Sequence, residues 1–468
     1  MGRRSRGVAA WGGWAALSLV AVASCASCMG DPVGAGSTLY TDAGIQQVNP
    51  APDATVGNAT GQKLKAFTFP ADPGANGVYV TISGEANSQS GYPFPPNDWG
   101  NDTYMYDGWQ FVIERYIVVV DHLSLWANPN TDPTNQSKHG ALVAHADGPF
   151  VVDLHKSGSA PQYLTGQGGA PEVATPLAAI TSQNDNGGGG FDSSTTYGFG
   201  FSTVAASYAP PAAGEPGPFN VNLDGSEAAD FDYMVQNGYS VLYVGTAQWV
   251  GDQSPYGCVQ TSVLSSGASD AGDASDGGYD FSRLPARVNF RLGFSTPTNY
   301  VNCQNMTLQG KPVGNDDYPR GLQVSPSQSA IAQVTVHMDH PFWESFAEDT
   351  PVHFDQIAAQ FAFAPGTPTV QLEDLMGVPF YAFTDKTGAP LPWRNCSGSH
   401  YTPPSNGQMA FSTVNVPVDP HGTCMAGNCP GIRDYYDFMR YTQSTQGHLN
   451  SQGLCFIDRQ FPAPAGGS

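Results

Sequence analysis

The alternation of hydrophobic and polar positions predicts a chain built mainly from β-strands. The segment "VYVTISG", residues 78–84, alternates with the two-residue period of a strand. Residues 109–126 form a long β-branched and aromatic run, which we expect to bend or bulge into two strands. Most candidates are flanked by Gly, Pro, Asn or Asp. The further candidates are "ALVAHA", "FVVDLH", "TTYGFGFSTVAAS", "YSVLYVGTAQWV", "VNFRLGF" and "IAQVTVHM".

Helical patterns are fewer and shorter. In "SEAADFDYMVQNG" we expect Ser226 to cap the helix N-terminus and Gly238 to end the helix. "HFDQIAAQFA" and "RDYYDFMRYTQ" also place apolar residues near helical spacing. Few helices among many strands predict an all-β protein, an immunoglobulin-like or related β-sandwich with peripheral helices.

The first residues predict export. Three arginines precede an apolar stretch over residues 8–24, which is typical of a secretory signal peptide at 1–24. The stretch "VASC" resembles the bacterial lipobox, which implies a lipidated Cys25 after cleavage. We expect residues 25–65 to form a flexible tether and the protein to sit, lipid-anchored, at the outer membrane or cell surface. Its membrane contact would then be the lipid anchor.

The remaining chain is expected to form one composite domain over residues 66–464. It includes an acidic insert at 265–280, predicted to be disordered, and a helical C-terminal extension over about 393–464. The protein has 40 acidic and 18 basic residues, a formal net charge of −22. This charge disfavours nucleic acid as a partner, whereas cations and an envelope protein stay compatible with it.

Six cysteines follow the predicted tether, and an exported chain is expected to oxidise them. Six cysteines allow about 15 connectivities, so spacing does not determine the pairing. We favour a pair between Cys258 and Cys303 across the acidic insert, with the other four stapling the C-terminal region. Thiolate binding of a metal by "CMAGNC" is the less favoured alternative. The six are Cys258, Cys303, Cys396, Cys424, Cys429 and Cys455.

The segment "VTVHMDHP" carries the principal candidate for a metal site. Alternation places His337 and Asp339 on one face of the strand, before Pro341 ends regular pairing. His340 lies where the chain turns, so it is able to join them. Imidazoles with carboxylate neighbours suit copper, zinc or nickel. Histidine and aspartate also occur at ordinary strand ends, and that simpler interpretation is the commoner one.

Two further places extend the metal hypothesis. "HFD" adds His353 and Asp355 after a short connection, and His122 is a weaker candidate on another strand. Alternation puts Asp121 and His122 on opposite faces, so we expect one to be solvated and the other packed or hydrogen-bonded.

Several ordered segments resemble the methanobactin-partner-like family of exported β-sandwich proteins, some of which are associated with copper. The resemblance also extends to uncharacterised surface lipoproteins of myxobacterial type. It implies a sandwich fold and an association with copper, but the W-x-H pattern of some copper-binding relatives is absent. The segments are "FVIERYIVVVDHLSLW", "FVVDLH", "TTYGFGFSTV", "YMVQNGYSVLYVGTA", "VNFRLGF" and "AQVTVHMDHPFW".

Three functions stay open. The leading hypothesis is a surface binding protein for copper or another divalent metal. The alternatives are a structural or adhesion-type envelope lipoprotein without metal, and a hydrolase with a noncontiguous site. We find no G-x-S-x-G, S-x-x-K, H-E-x-x-H or P-loop motif, so an enzyme is the less favoured class.

Overall fold

The computed structural model describes residues 56–100, 104–156, 174–210, 215–261, 278–344, 352–379, 384–401, 432 and 434–462. As the hydrophobic pattern predicts, these residues form mostly strands, in mixed sheets, with few helices. The strands are β1 (Lys65–Ala66), β2 (Val78–Ser83), β3 (Trp109–Trp126), β4 (Leu142–Ala146), β5 (Phe150–Asp153), β6 (Thr175–Ile180), β7 (Thr196–Thr203), β8 (Phe219–Asn220), β9 (Val241–Trp249), β10 (Val259–Thr261), β11 (Arg287–Phe294), β12 (Thr298–Val301), β13 (Leu322–Gln323), β14 (Ala330–Val336), β15 (Thr369–Val370), β16 (Trp393–Asn395), β17 (Gly447–Leu449), β18 (Gly453–Leu454) and β19 (Phe456–Arg459). The α-helices are α1 (Glu85–Ser90), α2 (Ala228–Asn237), α3 (Asp355–Ala359) and α4 (Tyr435–Gln443).

Two sheets carry most of these strands. The larger has 12 strands, with the path β1-β8-β5-β3-β7-β12-β19 and with β4, β9, β11, β13 and β15 paired beside it. The smaller has the order β18-β17-β14-β2-β6, and β10 pairs separately with β16. Within the smaller sheet β14 runs parallel to β2 and antiparallel to β17. One buried hydrophobic cluster contains residues from both sheets.

Strand β3 is the central strand of the larger sheet. It continues for 18 residues, so the expected division into two strands is wrong. The expected irregularity is present, because the pairing register shifts between Ile113 and Arg115 and again between Asp121 and Ser124. His122 lies in the second shift with a φ of 51°. A local bulge therefore absorbs the bend without ending the strand.

The two central strands of the smaller sheet are buried on both faces. All six residues of β2 are buried, although its sequence alternates. Its polar members, Thr81 and Ser83, are as buried as its valines and isoleucine. A parallel pair inside a sheet is covered on both sides, so alternation here does not mark a solvated face.

Helix α2 matches its predicted segment, and Gly238 ends it in the left-handed region with a φ of 66°. The N-terminal cap differs from the expectation. Asp224, not Ser226, caps the preceding 3-10 turn Gly225–Glu227, and its side chain accepts a hydrogen bond from the Ser226 amide. Aspartate is as good a cap as serine, and it stands two residues earlier. Helices α3 and α4 fall within the other two predicted helical segments.

Two disulfides join strands that are far apart in sequence. They link Cys258 to Cys396 and Cys303 to Cys455, so the expected Cys258–Cys303 pair is wrong. The reason is strand pairing: Cys258 precedes β10, which pairs with β16, whereas Cys303 follows β12, which pairs with β19.

The structure describes only part of the segments predicted to form the tether, the acidic insert and the C-terminal extension. Cys25, Cys424, Cys429, residues 25–55 of the tether and residues 265–277 of the insert lie outside the described residues. The C-terminal region from residue 393 contains α4 and also four strands, β16 to β19, of which β19 joins the larger sheet. Across the part of the chain that the structure describes, no helix has the length and apolar character to cross a bilayer.

Candidate metal centre

A tight reversal after β14 brings His337, Asp339 and His340 together. The His337 amide still donates to the carbonyl of Gln446 at 2.9 Å, which extends the pairing with the neighbouring segment. Then a 3-10 turn, His340–Phe342, begins with Pro341 inside it. One nitrogen of each histidine and one oxygen of Asp339 lie within 4.8 Å of one another. The predicted convergence of these three side chains is therefore present.

His448 brings a third imidazole to the same place. It lies on β17, where it is opposite Thr335 of β14. Its ring centroid is 4.1 Å from that of His337 and 5.6 Å from that of His340, whose own rings are 5.4 Å apart. We call His337, Asp339, His340 and His448 the histidine cluster. Sequence reasoning missed His448, because only the pairing of β14 with β17 places it here.

Neighbouring groups hold each side chain of the cluster. Thr445 Oγ1 lies 2.6 Å from Nδ1 of His340, whose ring stacks on Trp343 with centroids 3.8 Å apart. The Trp343 indole also donates to Asp339 Oδ2 at 2.9 Å. Such contacts around a ligand set fix ring orientation and tautomer.

The contacts of His337 constrain which of its two ring nitrogens carries a proton. Its Nε2 lies 3.0 Å from the carbonyl oxygen of Ser451, which only accepts, so Nε2 carries a proton. Its Nδ1 lies 3.3 Å from Glu85 Oε1. In a neutral ring this Nδ1 presents a lone pair to a carboxylate oxygen. A second proton or a metal ion at Nδ1 would remove the electrostatic repulsion between this nitrogen and the Glu85 oxygen.

Burial keeps the other two imidazoles neutral. The pKa of His340 is lowered well below its ordinary value by burial, with further contributions from His337 and His448. The pKa of His448 is lowered in the same way by burial and by His337. Hydrogen bonds of the His448 ring with the backbone of Thr445 and Ser451 partly oppose this lowering of its pKa. Neutral imidazole is the form that binds metal.

A cavity of about 230 Å³ connects this cluster to the protein surface. His340 and His448 line it on the cluster side, together with Thr445. The rest of the wall is formed by Gln136, Leu454, Cys455, Phe456 and Ile457. Of the four side chains of the cluster, His340 and His448 therefore border the cavity.

The structure does not bring His353 or Asp355 into this group. His353 packs edge-on against Trp393, with centroids 4.9 Å apart, and its Nε2 lies 3.2 Å from the Tyr435 hydroxyl. Burial lowers the pKa of His353 to about 3. His353 is therefore a neutral ring packed among aromatic side chains.

Asp355 is held by cationic and polar donors. It accepts a hydrogen bond from the Trp109 indole at 2.7 Å and is bridged by two guanidinium nitrogens of Arg394. Asp107 lies beside it and accepts the backbone amides of Phe354 and Asp355 at 2.7 and 2.8 Å. We call Asp107, Trp109, Asp355 and Arg394 the arginine cluster. Burial and the neighbouring Asp355 raise the pKa of Asp107 well above its ordinary value.

His122 stands apart from both clusters. Its side chain is 54% exposed, whereas Asp121 is buried and accepts backbone hydrogen bonds from His122 and Gly148. The expectation that one of the pair is solvated and the other hydrogen-bonded is confirmed.

We found no family model, no curated protein and no solved structure that matches this chain. The family resemblance stays a prediction, and the chemistry of the site has to be argued from its own residues.

Proposed function

We propose that this protein binds copper or another divalent metal ion at the histidine cluster. His337, Asp339 and His340 supply the ligand atoms, and His448 stands beside them as a further imidazole. The observation that carries the proposal is the meeting of two imidazole nitrogens and a carboxylate oxygen within 4.8 Å. Imidazole and carboxylate together suit copper, zinc, nickel and iron.

Two features support a metal over plain hydrogen bonding. A metal ion at Nδ1 of His337 would satisfy both this nitrogen and the adjacent Glu85 carboxylate, which lie 3.3 Å apart. Burial also keeps the neighbouring ring of His448 neutral, and neutral imidazole is the form that binds metal. The stacking of Trp343 on His340 and the bond from Trp343 to Asp339 would hold the ligands in place before the metal arrives.

The cellular setting is part of the same proposal. The apolar N-terminal segment and "VASC" suggest an exported protein that is anchored through Cys25 at the outer membrane or cell surface. Its two sheets would then be those of an immunoglobulin-like sandwich, as in the copper-associated family that the chain resembles. A formal charge of −22 would attract cations to such a surface.

Metal content tests the proposal. The full-length protein, purified mildly and then offered Cu(I), Cu(II) or Zn²⁺, is expected to retain about one equivalent of metal. The double variant His337→Ala/His340→Ala should lose it while circular dichroism shows that the fold persists. His122→Ala is the matched control, because His122 is exposed and lies outside the cluster. A wild-type protein that ignores all three ions, or a double variant that keeps its metal, contradicts the proposal.

A further inference from the structure

We propose that Glu85 determines the charge selectivity of the histidine cluster, so that the cluster binds a divalent ion in preference to Cu(I). This inference rests on the proposed function and narrows it to one ionic charge and one residue that sets it. The observation that carries it is the Glu85 carboxylate 3.3 Å from Nδ1 of His337, in a site that already contains the Asp339 carboxylate.

The strand register brings Glu85 to the site. Strand β2 runs parallel to β14 with Ser83 opposite Thr335, and two residues further along each chain stand Glu85 and His337. Glu85 begins helix α1 with a φ of 63°, in the left-handed region that few residues other than glycine adopt. Such a conformation persists only where the surroundings hold it. Its side chain is only 19% exposed, so the carboxylate is largely shielded from water.

The carboxylates of Asp339 and Glu85 lie close to the same buried group. The pKa of Tyr92 is raised well above its ordinary value by burial, and the charges of Asp339 and Glu85 raise it further. The indole of Trp343 donates a hydrogen bond to Asp339, which satisfies an oxygen but adds no charge. A metal ion at the cluster is therefore next to two carboxylates.

The charges of these groups favour a divalent ion. Imidazoles bind a metal in the neutral form, so they leave the charge of the ion unchanged. The ionised carboxylates of Asp339 and Glu85 carry a formal charge of −2, which a divalent ion balances and which Cu(I) reduces only to −1. An unbalanced charge inside a protein is costly. The donor atoms agree, since imidazole and carboxylate suit Cu(II) and zinc, whereas Cu(I) prefers sulfur.

The size of the effect of Glu85 depends on the charge of the ion. The attraction between a carboxylate and an ion is proportional to the charge of the ion, so it is twice as large for Cu(II) as for Cu(I). If Glu85→Gln weakens Cu(II) binding about tenfold, it should weaken Cu(I) binding only about threefold. The ratio of the two affinities then falls about threefold. A role of Glu85 in folding alone does not predict such a change in the ratio.

The reduction potential of bound copper measures this ratio in one experiment. Voltammetry of the copper-loaded full-length protein should give a potential below that of aqueous copper, because Cu(II) is bound more tightly than Cu(I). Glu85→Gln should raise the potential by about 30 mV, which is a threefold change at 59 mV per factor of ten. Glu85→Gly is the second variant, since glycine suits the left-handed backbone and also removes the carboxylate. Glu114→Gln, at an exposed position of β3, is the matched control and should leave the potential unchanged.

The outcomes separate the two proposals. Bound copper with a potential above that of aqueous copper would overturn the preference for a divalent ion and leave metal binding intact. An unchanged potential in both Glu85 variants would overturn the role of Glu85. Absence of bound copper in the wild type would overturn both proposals together.

Discussion

Two short segments of this chain, His337 to His340 and His353 to Asp355, have similar sequences and different surroundings. Each brings histidine and aspartate together, and the histidines of both are buried. In the histidine cluster imidazole rings face one another beside a cavity. In the arginine cluster a carboxylate is neutralised by Arg394, which lies between the rings of Trp249 and Phe281. The partners of a side chain, not its type, therefore separate the proposed binding site from the arginine cluster.

The two clusters also differ in how the charges of their buried side chains are compensated. Asp355 has a guanidinium, an indole and backbone neighbours as partners, so its charge is compensated inside the fold. In the histidine cluster the rings of His340 and His448 are kept neutral by burial. We therefore expect substitutions in the arginine cluster to affect stability first, and substitutions in the histidine cluster to affect metal binding first.

The largest effect is expected from Arg394→Met. It leaves the buried Asp355 without its cationic partner, which should lower the free energy of unfolding by about 3–5 kcal/mol. Chemical denaturation followed by tryptophan fluorescence measures this loss. Arg287→Met is the control, since Arg287 is exposed and should change stability by less than about 0.5 kcal/mol. Equal stability of the two variants would mean that the arginine cluster is not structural.

The next largest effect on stability is expected from removing either disulfide. Replacing either cysteine pair by alanine should lower the free energy of unfolding by about 2–4 kcal/mol, because each closes a long loop. Only Cys303→Ala/Cys455→Ala should also weaken metal binding, since Cys455 lines the cavity beside His340 and His448. Cys258→Ala/Cys396→Ala, next to Asp107 of the arginine cluster, should leave metal affinity unchanged. Isothermal titration checks both variants, and a reversed order would refute the assignment.

A pH effect of intermediate size is expected from His353. Its folded pKa of about 3 lies below the ordinary value of about 6.5. Between these values the unfolded chain binds a proton that the folded chain does not, so stability is lost as pH falls below about 6.5. The contribution between pH 7 and 5 is about 2 kcal/mol.

The variant His353→Asn isolates this contribution. Its free energy of unfolding should fall by about 2 kcal/mol less than that of wild type between pH 7 and 5. Urea denaturation at the two pH values gives the comparison. Parallel losses in both proteins would show that His353 is not held neutral.

The smallest effect is expected from Glu85→Gln. This substitution keeps the size of the side chain but removes the charge facing Nδ1 of His337, and we expect metal affinity to fall about tenfold, or ~1.4 kcal/mol. Thermal unfolding of the metal-free variant should stay close to wild type. Unchanged metal affinity would place the bound ion away from Nδ1 of His337.

Local sequence predicts the elements of this fold better than it predicts which of these elements lie side by side. Hydrophobic runs and turn residues identify β2, β9, β11 and β14, and Gly238 marks the end of α2. These signals depend only on residues that are close to one another in the sequence. The disulfide pairing and the continuity of β3 depend on which strands lie side by side, and periodicity does not contain that information.

The candidate site shows the same limit. The turn after β14 makes His337, Asp339 and His340 neighbours, and local spacing suffices to predict it. Spacing also suggests His353, which packs instead against Trp393 and Tyr435. His448 carries no local signal, because its position depends on β17 pairing with β14.

The central claim is that a metal ion occupies the histidine cluster and not the similar segment at His353. Anomalous scattering from crystals of the copper-loaded protein, measured at the copper absorption edge, tests it most directly. We predict one strong peak within bonding distance of His337, Asp339 and His340. A peak at His353 and Asp355, or none in crystals of protein that contains stoichiometric copper, would contradict it.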